Sequence, residues 1–566
     1  MARIVPGVQV TVVKDVVPQQ LSPSGVLGLV GIVDKALSGV ERASSWSRLV
    51  EVCGPGTAYS LPEARQALDN GVFQVVVSPV SGGTAASMTL PTLTGSGFLL
   101  TARAAGSWAN GLRVRVGSRR TSAGETLNFD LEIQRPGSDE WESHRQLSAI
   151  PGTSQYVGEA LARASSLAVA TSNVRFVPSK TKTLKGGDAG GQALVLVDDG
   201  QGAAGANPVI TLQSVKEGPD LKVTASVDDA GNASVTLLKR AQAAADFVQL
   251  ATLEGLRFPG GESRLAQELR RLRDQKPEGE RDFELVVGSV GWPLDGQQYT
   301  FDQKGKDAGA TAYADALQRL KDEPDVDMVL AAVQDFGDLD KVIKVYSDVI
   351  SHCQVMSADA KGRLGFGQVP PKTPAREQVE MGKSLMSDRF VLVSPHGTVG
   401  AVAGMLGSLP YYHSPTFKRV SGLGRLQPIG IDDRNTLVGG NVATVASEPS
   451  KGLVVLRGLT TDGDQINVRR IADRAVRGVK MLGDLFIGSL NTADGRSALK
   501  QKLAEFLLQM EKEGAIVPST DGSDPAFKVD VYSSQQDFAM GIVRVDIAVR
   551  PVRAMDYIYA TIQIQT

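Results

Sequence analysis

Eight consecutive apolar or glycine residues, Val26 to Val33, constrain the fold of this chain more than any other feature. A run without alternation has no wet face. It must be covered on both sides, as in a central strand of a parallel or mixed sheet. Thirty residues later, 61–70 read as a helix with Pro62 near its start and Gly71 as its stop. A second buried strand, 72–77, follows. Strand, helix and strand in this order open a parallel or mixed sheet. At about 150 residues per domain, 566 residues leave room for three or four domains.

The rhythm then breaks and returns. Residues 81–97 are rich in Ser, Thr and Gly, and from Phe98 the pattern is short strands (112–116, 127–133, parts of 210–238) between glycine turns. The α/β order resumes with a strand at 283–288, a helix at 310–321, a strand at 328–333, a helix at 339–353 and a strand at 389–394. The last third holds two amphipathic helices, 465–485 and 498–513. In the second, Leu499, Leu503, Phe506, Leu507 and Met510 share one face and Gly514 is the stop. Strands at 527–532, 540–550 and 557–564 finish the chain. The expected fold is an α/β core with a mixed sheet, an inserted mainly-β domain or domains, and an α+β C-terminal domain with extended terminal β-arms. The expected divisions are 1–20, 21–97, 98–277, 278–455, 456–550 and 551–566.

Charge and cysteine content exclude several classes. Sixty basic against 62 acidic side chains give a net charge of -2, so there is no chain-wide basic footprint for nucleic acid. Two cysteines, Cys53 and Cys353, exclude a disulfide framework and a cysteine zinc site, and buried free thiols suit a reducing compartment. The N-terminus lacks the pattern of a signal peptide. The apolar stretch 390–412 is interrupted by Pro395, His396 and Pro410, so no membrane span is expected.

The search for catalysis is mostly negative. Gly382-Lys383-Ser384 ends like a phosphate loop, but Glu377 stands where its first glycine belongs. Gly422-Leu423-Gly424 lacks the third glycine of a dinucleotide fingerprint, with Gln427 in that place. No Gly-x-Ser-x-Gly elbow is present. His144, His352, His396 and His413 form no paired zinc motif. Ser394, His396 and Asp388 are near in sequence, but a polar turn at a strand end accounts for them better than a hydrolase triad. No cofactor or metal is expected. Arg470, Arg474 and Arg477 share a helix face that is either solvated or a docking surface for a protein. Nucleic acid ranks third, because aromatic residues for base stacking are missing there.

Both ends of the chain carry alternating segments. Val8, Val10 and Val12 form one face of the first, between Pro6-Gly7 and Pro18. Ile558, Ala560, Ile562 and Ile564 form one face of the last, against Tyr557 and Tyr559. Each is either a strand of its own core or an open-edged arm that adds to a neighbour's sheet.

The order of segments resembles the contractile phage tail sheath family, also found in R-type bacteriocins and extracellular injection systems. The opening Pro6-Gly7-Val8-x-Val10 and the run 26–33 are similar to that family's start. Residues 100–116, with Ala105-Gly106-Ser107-Trp108-Ala109-Asn110-Gly111, resemble its Gly-x-Trp-Gly-Asn motif, Ala109 replacing a glycine. The C-terminal third resembles it through Ile466-x-Val-Arg-Arg-Ile-Ala-Asp473, Phe506-Leu-x-x-Met510-x-x-x-Gly514 and residues 541–552. The likeness is weak at 179–277, which reads as an insertion. It implies a non-catalytic α/β core of the kind called subtilisin-like and a non-enzymatic subunit of stacked hexameric rings around an inner tube, contracting to drive that tube through an envelope. Implied partners are further copies of the chain joined by β-strand exchange, the inner tube protein, and baseplate and terminator proteins, with no direct nucleic acid and no membrane insertion. The place implied is a virion tail assembled in the host bacterial cytoplasm. The charged rim Lys500, Lys502, Glu505 and Lys512, with Arg470, Arg474 and Arg477, is then expected to face the tube. Classes left open are an α/β hydrolase or nucleotide-binding enzyme and a non-contractile virion structural protein.

Overall fold

The computed structural model describes every residue except 1–23, 34–36, 38, 55–60, 94–96, 121–125, 137, 177–180, 187–191, 199–207, 216–217, 242–244, 334, 425, 427, 558 and 560–566. The first arm, with Val8, Val10 and Val12, lies outside the described residues, as do Ile558, Ile562 and Ile564 of the last. The chain forms two compact units, one of residues 1–80 with 310–566 and one of residues 81–309.

The first unit is built on an eight-stranded mixed sheet. Its order is Glu41–Ala43, Gln74–Pro79, Val26–Gly31, Met328–Ala331, Leu364–Gln368, Phe390–Ser394, Ala443–Glu448 and Gly452–Val455. The six inner strands are parallel and the two edge strands antiparallel. All six residues of Val26–Gly31 and all five of Phe390–Ser394 are buried, as an uninterrupted apolar run requires. Leu27, Leu29, Val75, Leu330, Phe366 and Val391 share one core with Cys53. Cys353 is also buried and unbridged, its thiol pushed up to about 12 by burial.

One helix pair on this sheet depends on glycine. Helix Val399–Ser408 lies on helix Leu61–Asp69, and a Cβ on Gly400 or Gly404 would stand 2.3 Å from the carbonyl oxygen of Glu63 or Ala67. The two backbones touch. Any side chain at these positions would force the helices apart.

The second unit holds four antiparallel sheets among its described residues: three of four strands and one of three. The strand expected to restart the α/β order at 283–288 belongs here instead. Glu284–Val287 pairs antiparallel with Pro208–Gln213. The reason is local: a four-residue apolar run reads alike in a central parallel strand and at a sheet edge, and here Val286 remains half exposed.

The C-terminal layer belongs to the first unit. Helices Ile466–Asp484 and Ala493–Lys512 precede a hairpin of Phe527–Tyr532 and Arg544–Val549, paired from Phe527↔Val549 to Tyr532↔Arg544. The expected strand 540–550 is shorter than read from sequence. A helical turn, Gln535–Ala539, occupies the connection, begun by a reciprocal cap between Ser534 and Asp537. Arg544 closes on that Asp537 at 2.8 Å.

Candidate functional site

The carboxyl ends of parallel strands are where α/β enzymes place their chemistry. Here they carry Glu63, Gln368, Ser394 and His396. Glu63 is buried, and desolvation pushes its carboxyl up to about 8, so it is neutral at pH 7. Gln368 Nε2 lies 3.4 Å from Glu63 Oε1, and the Gln368 backbone exchanges hydrogen bonds with the Tyr346 hydroxyl. His396 contacts the Val369 carbonyl through Nδ1 at 3.1 Å. Asp388 is at the opposite end of the Phe390–Ser394 strand, paired with Arg469. At roughly 3.3 Å per residue, five strand residues alone put about 17 Å between the acid and the serine end. The sequence cluster Ser394, His396, Asp388 is therefore no triad. Among the described residues no group of three or more His, Cys, Asp or Glu is placed to hold a metal, and no helix is long and apolar enough to cross a membrane.

The hairpin is the more informative surface. Val529, Val531, Val545 and Ile547 turn inward onto Leu499 and Leu503 of helix Ala493–Lys512, and alternate residues face solvent. Two strands make the whole sheet among the described residues, so each strand keeps one outer edge of backbone donors and acceptors without a strand partner. A two-stranded sheet of this size is stable only against a support, which the helices supply.

The chain leaving the hairpin stays bonded further than Pro551. Val552 N donates to Ala515 O at 2.9 Å, and Asn467 Nδ2 donates to Val552 O at 3.0 Å. Gln465 clasps Ala554 through both its backbone N–H and its carbonyl. The Asp556 carboxylate, almost wholly buried, accepts from Arg457 Nε and Gln465 Nε2, each at 2.9 Å. Beyond this clamp the Arg457 guanidinium lies over the Tyr557 ring, 5.4 Å from its centre, with that side chain 63% exposed and Tyr559 92% exposed. Arg457, Gln465 and Asp556 carried no signal in the sequence, where each is an isolated polar residue.

The predicted charged residues divide into two groups. Arg470, Arg474 and Arg477 turn into their own unit. Arg477 gives its Nη atoms to the carbonyls of Pro324, Val326 and Gly362 (3.3, 2.9 and 2.7 Å), Arg470 reaches those of Leu409 and Pro410, and Arg474 stacks on Tyr411. The same helix is tied down by Asp473, bidentate to Arg389 at 3.0 Å. Lys500, Lys502, Glu505 and Lys512 instead lie exposed on helix Ala493–Lys512. Lys500 pairs across to Asp530 at 3.3 Å, and Lys502 pairs along the helix with Glu505 at 3.1 Å, holding that carboxyl below the usual range.

The C-terminal hairpin, two-stranded among the described residues and supported on its two helices, is the part of the chain that the comparisons address. Residues 460–565 match the family described as phage tail sheath C-terminal domain. Over those residues the chain thus carries a phage tail sheath C-terminal domain. It is also similar to the sheath tail protein of Listeria innocua, at 12% identity over 95% of this chain and 94% of that one, TM-score 0.43. A sheath tail protein of Desulfitobacterium hafniense is 11% identical over 96% and 100%, TM-score 0.41. The contracted helical sheath of the anti-feeding prophage is 15% identical over 46% and 78%, TM-score 0.37. No curated protein matches.

Proposed function

We propose that this chain is a sheath subunit that stacks as hexameric rings around an inner tube and contracts to drive the tube through a target envelope. The observation that carries the proposal is the hairpin, two-stranded among the described residues, on a domain that clamps the outgoing chain at Asp556. Strand addition at such an edge uses main-chain hydrogen bonds and tolerates rotation of the rigid bodies it links. The alternating segments 8–12 and 557–564 have the composition of donor strands for it. In this reading Val8, Val10, Val12, Tyr557, Ile558, Tyr559, Ile562 and Ile564 are arm residues. Each subunit gives and receives strands.

The tube-facing surface is assigned to Lys500, Lys502, Glu505 and Lys512, whose charges are exposed, and no longer to the three arginines, which turn into their own unit. Exposed, screened pairs suit a contact that holds during assembly and lets go on firing. Baseplate and terminator proteins would close the ends of the cylinder, and assembly would take place in the host cytoplasm. The energy of contraction would be stored in a metastable lattice, with no nucleotide consumed.

Negative-stain electron microscopy of the purified chain tests the reading directly. The expected result is hollow cylinders from the full chain and none from a chain ending at Asp556, with both melting cooperatively at the same temperature. Normal cylinders from the shortened chain would remove the arm from the mechanism. No ordered assembly from the full chain with its tube partner would remove the sheath reading itself.

A further inference from the structure

A small cavity lies where the arginine-bearing helix Ile466–Asp484 meets the amino ends of the central strands. It has a volume of about 40 Å³ and is lined among others by Ser24, Asp327, Tyr411, Arg470, Arg474 and Arg477. That is room for about three waters, or for one tetrahedral oxyanion.

Guanidinium groups crowd its walls. Asp473, also on its wall, has both oxygens on Arg389, and the neighbouring Arg363 is fully buried with carbonyl oxygens and His352 as its partners. Burial and Arg363 itself hold that imidazole neutral, at about 3. Asp327 receives the backbone N–H groups of Gly25 and Val26 at 2.9 and 2.8 Å. Glu513 accepts from the Tyr411 hydroxyl at 2.6 Å. Among the described residues, five guanidinium groups (Arg363, Arg389, Arg470, Arg474, Arg477) thus gather around this cavity together with the carboxylates of Asp327, Asp473 and Glu513. Arg470 is 8% exposed, and its contacts to the Leu409 and Pro410 carbonyls are long, at 3.4 Å. A buried cation whose hydrogen bonds are long and go to neutral carbonyls, beside a void, has room for an anion as a further ligand. The geometry is also tight: a Cβ on Gly362 would lie 2.3 Å from Asp473 Cγ, so the wall carries no side chain there.

We propose that this cavity binds one small inorganic oxyanion, of phosphate or sulfate type, held by Arg470 and Arg477 with Arg474 beside them. Guanidinium groups match the tetrahedral oxyanion better than any other side chain. The cavity is too small for a nucleotide or a lipid headgroup. A bound anion would fasten the C-terminal helix to the sheet core, and the site is independent of the sheath reading.

Calorimetric titration of the full chain with inorganic phosphate, against chloride at equal ionic strength, is the test. One phosphate per chain with saturation is expected, and Arg470→Met should weaken it about tenfold or more, the equivalent of one lost charged hydrogen bond. Arg470→Lys, which keeps the charge but loses the fork, should lie between. Selenate soaked into crystals of the wild type should give an anomalous peak between Arg470 and Arg477, a readout that needs no variant to fold. Absence of saturable binding by the wild type, an Arg470→Met chain that binds unchanged, or a selenate peak elsewhere would each overturn the site.

Discussion

The eight-stranded sheet and the C-terminal hairpin both pack against helices, yet they treat their edges in opposite ways. The sheet ends in short antiparallel strands, three residues at one side and four at the other, and its six parallel strands are interior. The hairpin has six residues in each strand, no flanking strand among the described residues, and an alternating half-buried and exposed pattern. Stability differs accordingly. The sheet buries whole apolar strands at roughly 25 cal/mol per Å², while the hairpin buries one face and leaves its edges for others. In the proposed sheath, the region that must fold before assembly is complete in one chain, and the region that would serve assembly is left unfinished.

The comparison is broken most severely at the helix contact. Gly404→Val places a side chain against a carbonyl oxygen, and because neither backbone can move freely, it is expected to cost about 3 kcal/mol or more. Urea denaturation should show the core lost. An unchanged midpoint would mean that the two helices are not in backbone contact.

Next comes Glu63. Its carboxyl ionises at about 8 in the folded chain and near 4.5 once unfolded, so the unfolded state releases its proton first as pH rises. The stabilising contribution is therefore full below about pH 4.5 and is lost progressively up to pH 8, on the order of 5 kcal/mol in all. Glu63→Gln mimics the neutral acid and should flatten this fall. Denaturation midpoints of both chains at pH 5 and pH 8 check it, and parallel pH profiles would refute a buried neutral Glu63.

Asp556→Ala sharpens the other side. Arg457 and Gln465 lose their acceptor, at about 1–3 kcal/mol, and the arm loses its fixed exit from the domain. A lower melting temperature together with irregular cylinders is expected, whereas ending the chain after Asp556 should leave melting unchanged. Smallest in stability is the double reversal Lys500→Glu with Lys502→Glu. Both side chains are exposed, so monomer melting should hold while co-assembly with the tube weakens. Co-assembly at wild-type strength would move the tube contact elsewhere.

Periodicity carried the sequence reading a long way. The buried strands Val26–Gly31 and Phe390–Ser394, the two C-terminal helices and the alternating hairpin were legible because side-chain period is a local property of the chain. What failed was whatever depends on partners. Glu284–Val287 joined a sheet of the second unit because a short apolar run does not name its neighbour. Arg470, Arg474 and Arg477 were rightly placed on one helix face, but the sequence does not say whether that face meets water or the core.

The sequence by itself determined which segments are strands and helices, that no catalytic motif is intact, and that the last residues alternate. Only the tertiary structure decided that Asp388 and His396 lie at opposite ends of one strand and that Gly400 and Gly404 admit a neighbouring backbone. It also decided that Arg457 and Gln465 meet on the Asp556 carboxylate. Each of these rests on residues tens or hundreds of positions apart, or on the direction a strand runs. Contacts at such separations are set by packing of the whole unit, which no local pattern encodes.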